Sequence, residues 1–130
     1  MAACKGYCKE ISERHNVEIK FHSENIPAKL PDEISLCLFR VLQEALQNAV
    51  KYSGVRTFLV SFGRTANEIE LRVRDSGAGF DPEQVINGHG LGLTSMHERL
   101  KLVDGRLAIE SKLGLGTTLR AWVPLTLATA

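Results

Sequence analysis

A chain of 130 residues with 44% hydrophobic and 24% charged side chains has the composition of a globular domain with enough apolar residues for one core, which excludes a disordered or fibrous polypeptide. Sixteen basic against fifteen acidic side chains leave a net charge of +1, and no segment interleaves basic with aromatic residues, so a nucleic-acid partner is not indicated. No apolar run approaches the ~20 residues of a bilayer crossing and no signal-peptide pattern opens the chain, so it reads as cytoplasmic, with a parent protein that could be anchored in the inner membrane.

Residues 3 to 14 have the pattern of a short helix. Within it Cys4 and Cys8 lie one turn apart; with Cys37 they are too few and too oddly numbered for a disulfide framework, and no Cys/His cluster completes a zinc site. Buried, reduced thiols are expected. Val17 to Phe21 alternates apolar and polar residues, as a half-buried strand does. After Pro27 and Pro31, Asp32 opens a long helix in which Ile34, Leu38, Val41, Ala45 and Ala49 recur every three or four residues, ending near Ser53-Gly54.

Two strand patterns follow, Val55 to Arg64 and Glu68 to Asp75, joined by Thr65-Ala66-Asn67 as an antiparallel hairpin. A glycine-rich stretch from Gly77 to Gly92 leads to a helix, Leu93 to Val103, and two closing strands, Arg106 to Glu110 and Thr117 to Val123. Consecutive strands with helices grouped elsewhere predict an α+β fold: a two-layer sandwich of a mixed, mainly antiparallel sheet covered on one face by helices. No repeat or linker divides the chain, so one domain spanning 1–130 is expected.

Glu44, Asn48 and Lys51 fall at i, i+4 and i+7 of the long helix, so at about 100° per residue they share one narrow stripe beside the apolar one. A carboxylate, an amide and an ammonium so placed suit a metal-bridged polyphosphate, although a solvated helix edge would explain them equally well. Asp75 has the strand parity of Ile69, Leu71 and Val73, so it aims at the core side and must find hydrogen-bond donors. An exocyclic amine is one; a self-satisfied aspartate in a tight turn is the plain alternative. Gly77 and Gly79 permit close approach of a flat ring. Gly88-His89-Gly90-Leu91-Gly92-Leu93 stands directly before a helix, where free amides and the helix dipole favour anions, yet it matches neither the dinucleotide fingerprint nor the P-loop. Thr117 shares the parity of Leu119, Ala121 and Val123, which puts its hydroxyl on the side of Asp75.

The segments QEALQNAVKYSG, DSGAGFD, GHGLGL and GTT, in this order and spacing, resemble the N, G1 and G2 boxes and the terminal Gly-Thr of the histidine kinase ATPase family, in the superfamily shared with DNA gyrase and MutL. The likeness covers roughly residues 17 to 125, and the wording around GLGLTSMHERL is most similar to kinases partnered with NarL/LuxR-type response regulators. The resemblance implies a Bergerat-type fold that binds ATP with Mg2+. It would make Asn48 a Mg2+ ligand, Glu44 the neighbouring carboxylate that positions or activates the reacting group, and Lys51 a phosphate contact. Asp75 would accept from the adenine amino group, with Thr117 assisting through water. Gly77 and Gly79 would shape the adenine wall, and Gly90, Leu91 and Gly92 would present phosphate-facing amides. Residues 81 to 89 would form the ATP lid.

Two departures from the family pattern stand out. Tyr52 occupies the position after the N-box lysine where histidine is common. Of His15, His22, His89 and His97, only His97 precedes an acidic residue, and a surface position suits it better than a phosphoacceptor role. The expectation is a monomeric catalytic domain that binds ATP without phosphorylating itself, its phosphoacceptor helices and sensor domain lying outside this chain. An anti-sigma-type serine kinase, a gyrase-like ATPase with Glu44 as base, and a nucleotide-binding docking module are the rival readings.

Overall fold

In the computed structural model, residues 1–79 and 92–125 are described. Helix α1 (Ala2–His15) turns cysteines and isoleucine to one side: Cys4, Cys8 and Ile11 at helical spacing are all buried. It stops at Asn16, whose left-handed backbone (φ 53°) lets its N–H donate to the Ser12 carbonyl. Strand β1 (Glu18–Glu24) follows, and then α2 (Asp32–Tyr52), which starts behind Pro31 with Asp32 and Glu33 in its first turn, where acidic charge complements the helix dipole. Its twenty-one residues bury a continuous stripe from Ile34 to Ala49.

Strands β2 (Thr57–Thr65) and β3 (Glu68–Asp75) form the hairpin the sequence predicts, tightened to Ala66-Asn67 because Thr65 still pairs with Glu68. Helix α3 (Leu93–Lys101) ends two residues before the expected Val103. Asp104 takes up a left-handed conformation (φ 57°) and the Gly105 N–H donates to the Leu100 carbonyl at 2.7 Å, which closes the helix early. Strands β4 (Arg106–Lys112) and β5 (Gly116–Pro124) complete the order.

The five strands lie in the order β1-β2-β3-β5-β4, with β1 and β2 parallel and every other pair antiparallel. A parallel pair requires a crossover, and α2 provides it. One face of the sheet is apolar in register: Val60, Val73 and Leu119 form one cross-strand row, and Phe62, Leu71 and Ala121 the next, all buried. Onto this face pack the buried stripes of α1 and α2 and, from α3, Met96 and Leu100. Full burial of such side chains contributes about 1.5–3 kcal/mol each, which is what holds helices and sheet together. The mixed, helix-covered sandwich is the architecture expected. No described helix is long and apolar enough to cross a membrane.

All three cysteines are free and buried. Burial pushes the Cys8 thiol up to about 12, with the Cys4 thiol nearby adding to the effect, and it raises Cys4 and Cys37 as well. Protonated thiols are weak nucleophiles, so they act as small apolar groups in the core.

Candidate functional site

The inward parity of β3 runs Ile69, Leu71, Val73 and ends on Asp75, which is only 8% exposed. Three apolar residues and then a carboxylate leave a negative charge at the mouth of the core. Among the described residues no cation pairs with it; the Gly77 N–H donates to its Oδ1 at 2.9 Å. Burial raises its pKa above the usual carboxylate range, and backbone hydrogen bonds from Gly77 and Thr117 pull it part of the way back. Thr117 is the direct cross-strand partner of Asp75, so the hydroxyl and carboxylate share a face, as the parity of β5 predicts. The Thr117 hydroxyl lies 2.7 Å from that of Ser111, which also donates to the Gly116 carbonyl at 3.2 Å.

The loop after Asp75 is held by main chain on both sides. The Ala78 N–H donates to the Ser53 carbonyl at the end of α2 (2.8 Å), and the Ala78 carbonyl accepts from the Gly114 N–H in the β4–β5 turn (2.6 Å). This stitching brings the backbones too close for side chains. A Cβ on Gly77 would strike the Ser53 carbonyl, and one on Gly79, whose φ is also positive at 65°, would strike that of Lys112. Gly116 is equally confined against the Asp75 carbonyl. A hollow of about 370 Å3 opens at this end of the sheet, lined by Asp75, Ser111, Gly116 and Thr117 and, across the strand edges, by Arg74 and Thr118. Because it is lined from both faces, it marks the open end of the sheet beside Asp75.

On α2 the polar stripe grades outward: Glu44 and Asn48 are half-buried and Lys51 is exposed. The Glu44 carboxylate lies against Gly92, the N-cap of α3, where an added Cβ would meet Oε2. Gly92 has φ 62°, no side chain among the described residues caps the helix, and its first turn contains no acidic residue. The amides of a helix N-terminus form an anion-favouring end, and Glu44 is an anionic group beside it.

Asp75, Gly77, Gly79 and Thr117 are thus brought together, and Glu44 meets Gly92 at α3. Gly90, Leu91 and the predicted lid at residues 81 to 89 lie outside the described residues. Tyr52 is exposed, as are His15, His22 and His97. Ser53 and Ser111 carry no site role in the sequence reading, and Gly116 enters it only as the glycine of the GTT segment, with no role of its own. Their contributions come from a carbonyl, a long-range hydroxyl pair and a backbone clash; only the short Gly-x-Gly run through Gly114 and Gly116 hinted at the last.

Residues 33–127 match the family model described as histidine kinase-, DNA gyrase B- and HSP90-like ATPase. The chain belongs to this ATPase family. It is 36% identical over 125 residues to the oxygen sensor histidine kinase NreB of Staphylococcus carnosus (strain TM300), an alignment covering 96% of this chain and 36% of that protein. The chain therefore spans about a third of the length of this curated relative. Among solved structures, full-length ShkA in complex with AMPPNP superposes with a TM-score of 0.79 at 20% identity, covering 95% of this chain and 29% of that one. The nucleotide-free catalytic domain of histidine kinase ThkA gives 0.75 at 18%, covering 93% and 86%. The histidine kinase domain of the blue-light activated kinase of Erythrobacter litoralis EL346 gives 0.76 at 18%, covering 95% and 59%. At these identities the likeness is one of fold. It runs through the same sheet that carries Asp75 and Thr117.

Proposed function

We propose that this chain is the ATP-binding catalytic domain of a two-component sensor histidine kinase, which delivers the γ-phosphoryl group of ATP to a histidine on a helical acceptor domain of the same protein. The observation that carries the reading is Asp75: a buried carboxylate with no cation partner among the described residues, fixed by the Gly77 amide and aligned with Thr117, at the end of a strand in an ATPase-family fold. A site that holds an acceptor ready in a desolvated niche selects a ligand with a matching donor, and the exocyclic amine of adenine is such a donor. Thr117 would assist, and Gly77 and Gly79 would shape the adenine wall by letting the loop backbone pack directly against the Ser53 and Lys112 carbonyls, where a Cβ would not fit.

Lys51, exposed at the end of the α2 stripe, would contact phosphate, and the amides of Gly90, Leu91 and Gly92 would be the second anion contact. Asn48 and Glu44 are the residues that would hold Mg2+. The donor set fits this ion: one amide and one carboxylate on a single helix face leave most of an octahedral shell to water and phosphate oxygens, and no cluster of three acidic, His or Cys side chains among the described residues suggests a resident metal. When bound, the ion would neutralise polyphosphate charge. The part of this chain is to orient the nucleotide and, through Glu44, to position or activate the reacting group; no covalent nucleophile is required of it.

The partner that consumes the phosphoryl group downstream would be a response regulator of the NarL/LuxR type, in the cytoplasm, and the domain alone would be monomeric. Calorimetry with ATP and ADP, with and without Mg2+, tests the nucleotide reading. An unaltered chain that binds neither nucleotide sinks it. Supplying the acceptor domain with radiolabelled ATP tests transfer. Phosphate released to water with none on the acceptor histidine would point to a simple ATPase.

A further inference from the structure

The face of the sheet that the helices leave open carries charges that the core does not use, and only Arg74 among its arginines also reaches the hollow beside Asp75. Register determines the neighbours there. Arg72 on β3 stands directly opposite Arg120 on β5, and Arg74, two residues along the same face, stands opposite Thr118. On β4 the next residues outward are Ala108 beside Arg120 and Glu110 beside Thr118. On β2 they are Ser61 beside Arg72 and Leu59 beside Arg74, and Lys20 of β1 lies beyond Leu59.

Like charges directly opposite on neighbouring strands are destabilising. Neutralisation within the face is partial. Arg72 Nη2 reaches Glu70 Oε1 at 3.2 Å. Glu68 is taken up by Arg106, which binds it through both Nη1 (3.0 Å) and Nη2 (3.2 Å) and lies 4.6 Å over the Trp122 ring. Arg74 and Arg120 make no ion pair among the described residues. The Nε atoms of Arg72 and Arg120 are both shut off from solvent without a hydrogen-bond partner. A buried, unpaired donor is destabilising, and here the two belong to guanidinium groups on opposed positions.

We propose that this open face is a docking surface for an acidic protein segment, whose carboxylates seat on Arg72, Arg120 and Arg74. Guanidinium forks match carboxylates bidentately, and a partner's carboxylates would relieve the repulsion between the opposed arginines. The cluster is small. Strands lie ~4.8 Å apart and alternate residues ~6.6 Å apart along a strand, so the three arginines root within a patch of roughly that size. Glu68, Glu70 and Glu110 stand around it on the same face, and the chain carries only +1 overall. A nucleic acid or an anionic bilayer needs a broad field of one sign, whereas two or three carboxylates on a short segment fit this patch.

The test is an amide-resolved NMR titration of the 15N-labelled chain with a capped hexaglutamate peptide at low salt. Hexalysine, a single-stranded oligonucleotide and phosphatidylserine vesicles are titrated in parallel. Shifts centred on residues 72, 74 and 120 with hexaglutamate alone are expected. They should disappear in the Arg72→Gln/Arg120→Gln double variant and fade at about 0.3 M salt, where screening shortens the reach of exposed charge. Nucleotide affinity, measured by calorimetry on the same samples, should be unchanged in the double variant, which keeps this proposal separate from the nucleotide reading. Shifts that are absent, that survive in the double variant, or that come equally with the oligonucleotide or vesicles overturn it. Arg120→Thr supplies an independent check: the melting temperature should rise as the opposed charge is removed, and a fall of several degrees would show the arginine pair to be a structural contact instead.

Discussion

Asp75, at the inward end of β3, is a lone carboxylate held by main-chain donors in a desolvated niche, whereas Arg72 and Arg74, on the opposite face of the same strand, stand among side chains on an open surface, one directly across from Arg120. Alternation along the strand puts Arg74, the residue next to Asp75, on the other face. The inward charge is fixed by backbone geometry and has little freedom to find another partner. The outward charges are on long, rotatable stems and are only partly neutralised by Glu70. On the proposed readings the first would be a rigid reader of one small group, and the second an adaptable surface. A strand with one face in the core can thus serve two kinds of recognition, because the environment of each residue is set by parity and not by its place in the sequence.

The largest contrast between the two faces is in stability. Leu71→Ala, which empties a fully buried inward position, should cost about 2–5 kcal/mol in chemical denaturation, while Arg74→Ala on the outward face should stay within about 0.5 kcal/mol. Equal losses would mean that the outward face is as tightly packed as the core. Next in size is ligand recognition: Asp75→Asn removes a charged acceptor, which corresponds to roughly 10- to 150-fold in ATP affinity by calorimetry. An unchanged affinity would remove Asp75 from the adenine site.

The same substitution should act on stability in the opposite direction. Burial raises the Asp75 pKa above the ordinary carboxylate range, so the stability contributed by its proton is fully present below the unfolded pKa and is lost as pH rises through the folded pKa. A neutral asparagine escapes that loss. At pH 7 the variant should therefore melt no lower than the parent, and its advantage should shrink as the pH is brought down below the unfolded value; a variant that melts lower at pH 7 would show the carboxylate to be a net stabiliser. The smallest effect is expected on the outer rim, where Arg106→Ala breaks a partly exposed pair with Glu68 and a contact over Trp122 for about 0.5–1 kcal/mol. A loss above that, read by thermal melting, would make Arg106 a structural anchor of β4.

Much of this molecule was legible in the sequence because periodicity speaks directly about faces. The parity of Ile69, Leu71, Val73 and Asp75, and of Thr117 with Leu119, predicted a carboxylate and a hydroxyl on one side of the sheet, and the spacing of Glu44, Asn48 and Lys51 predicted a single stripe. Hidden from that reading were the contacts made across long separations by groups that every residue has. The Ser53 carbonyl that ties α2 to the loop at Ala78, the collision course of Gly116 with Asp75, and the meeting of the Glu44 carboxylate with Gly92 depend on where two segments come to rest, and no local pattern encodes that. The early end of α3 was missed for a related reason: Asp104 and Gly105 were available as a stop signal, but Leu102 and Val103 continued the apolar spacing.

The pairing of Asp75 with Thr117 also has a bearing on when the protein can first work. The two halves of the niche are forty-two positions apart, and the second lies on the closing strand, which inserts between β3 and β4. A chain still emerging from the ribosome would have its aspartate, its long helix and its first hairpin in place and yet no finished niche until β5 slides into the gap. Nucleotide binding should therefore arise late during synthesis, all at once, and chains halted before residue 116 should remain blind to ATP however well their earlier segments have folded.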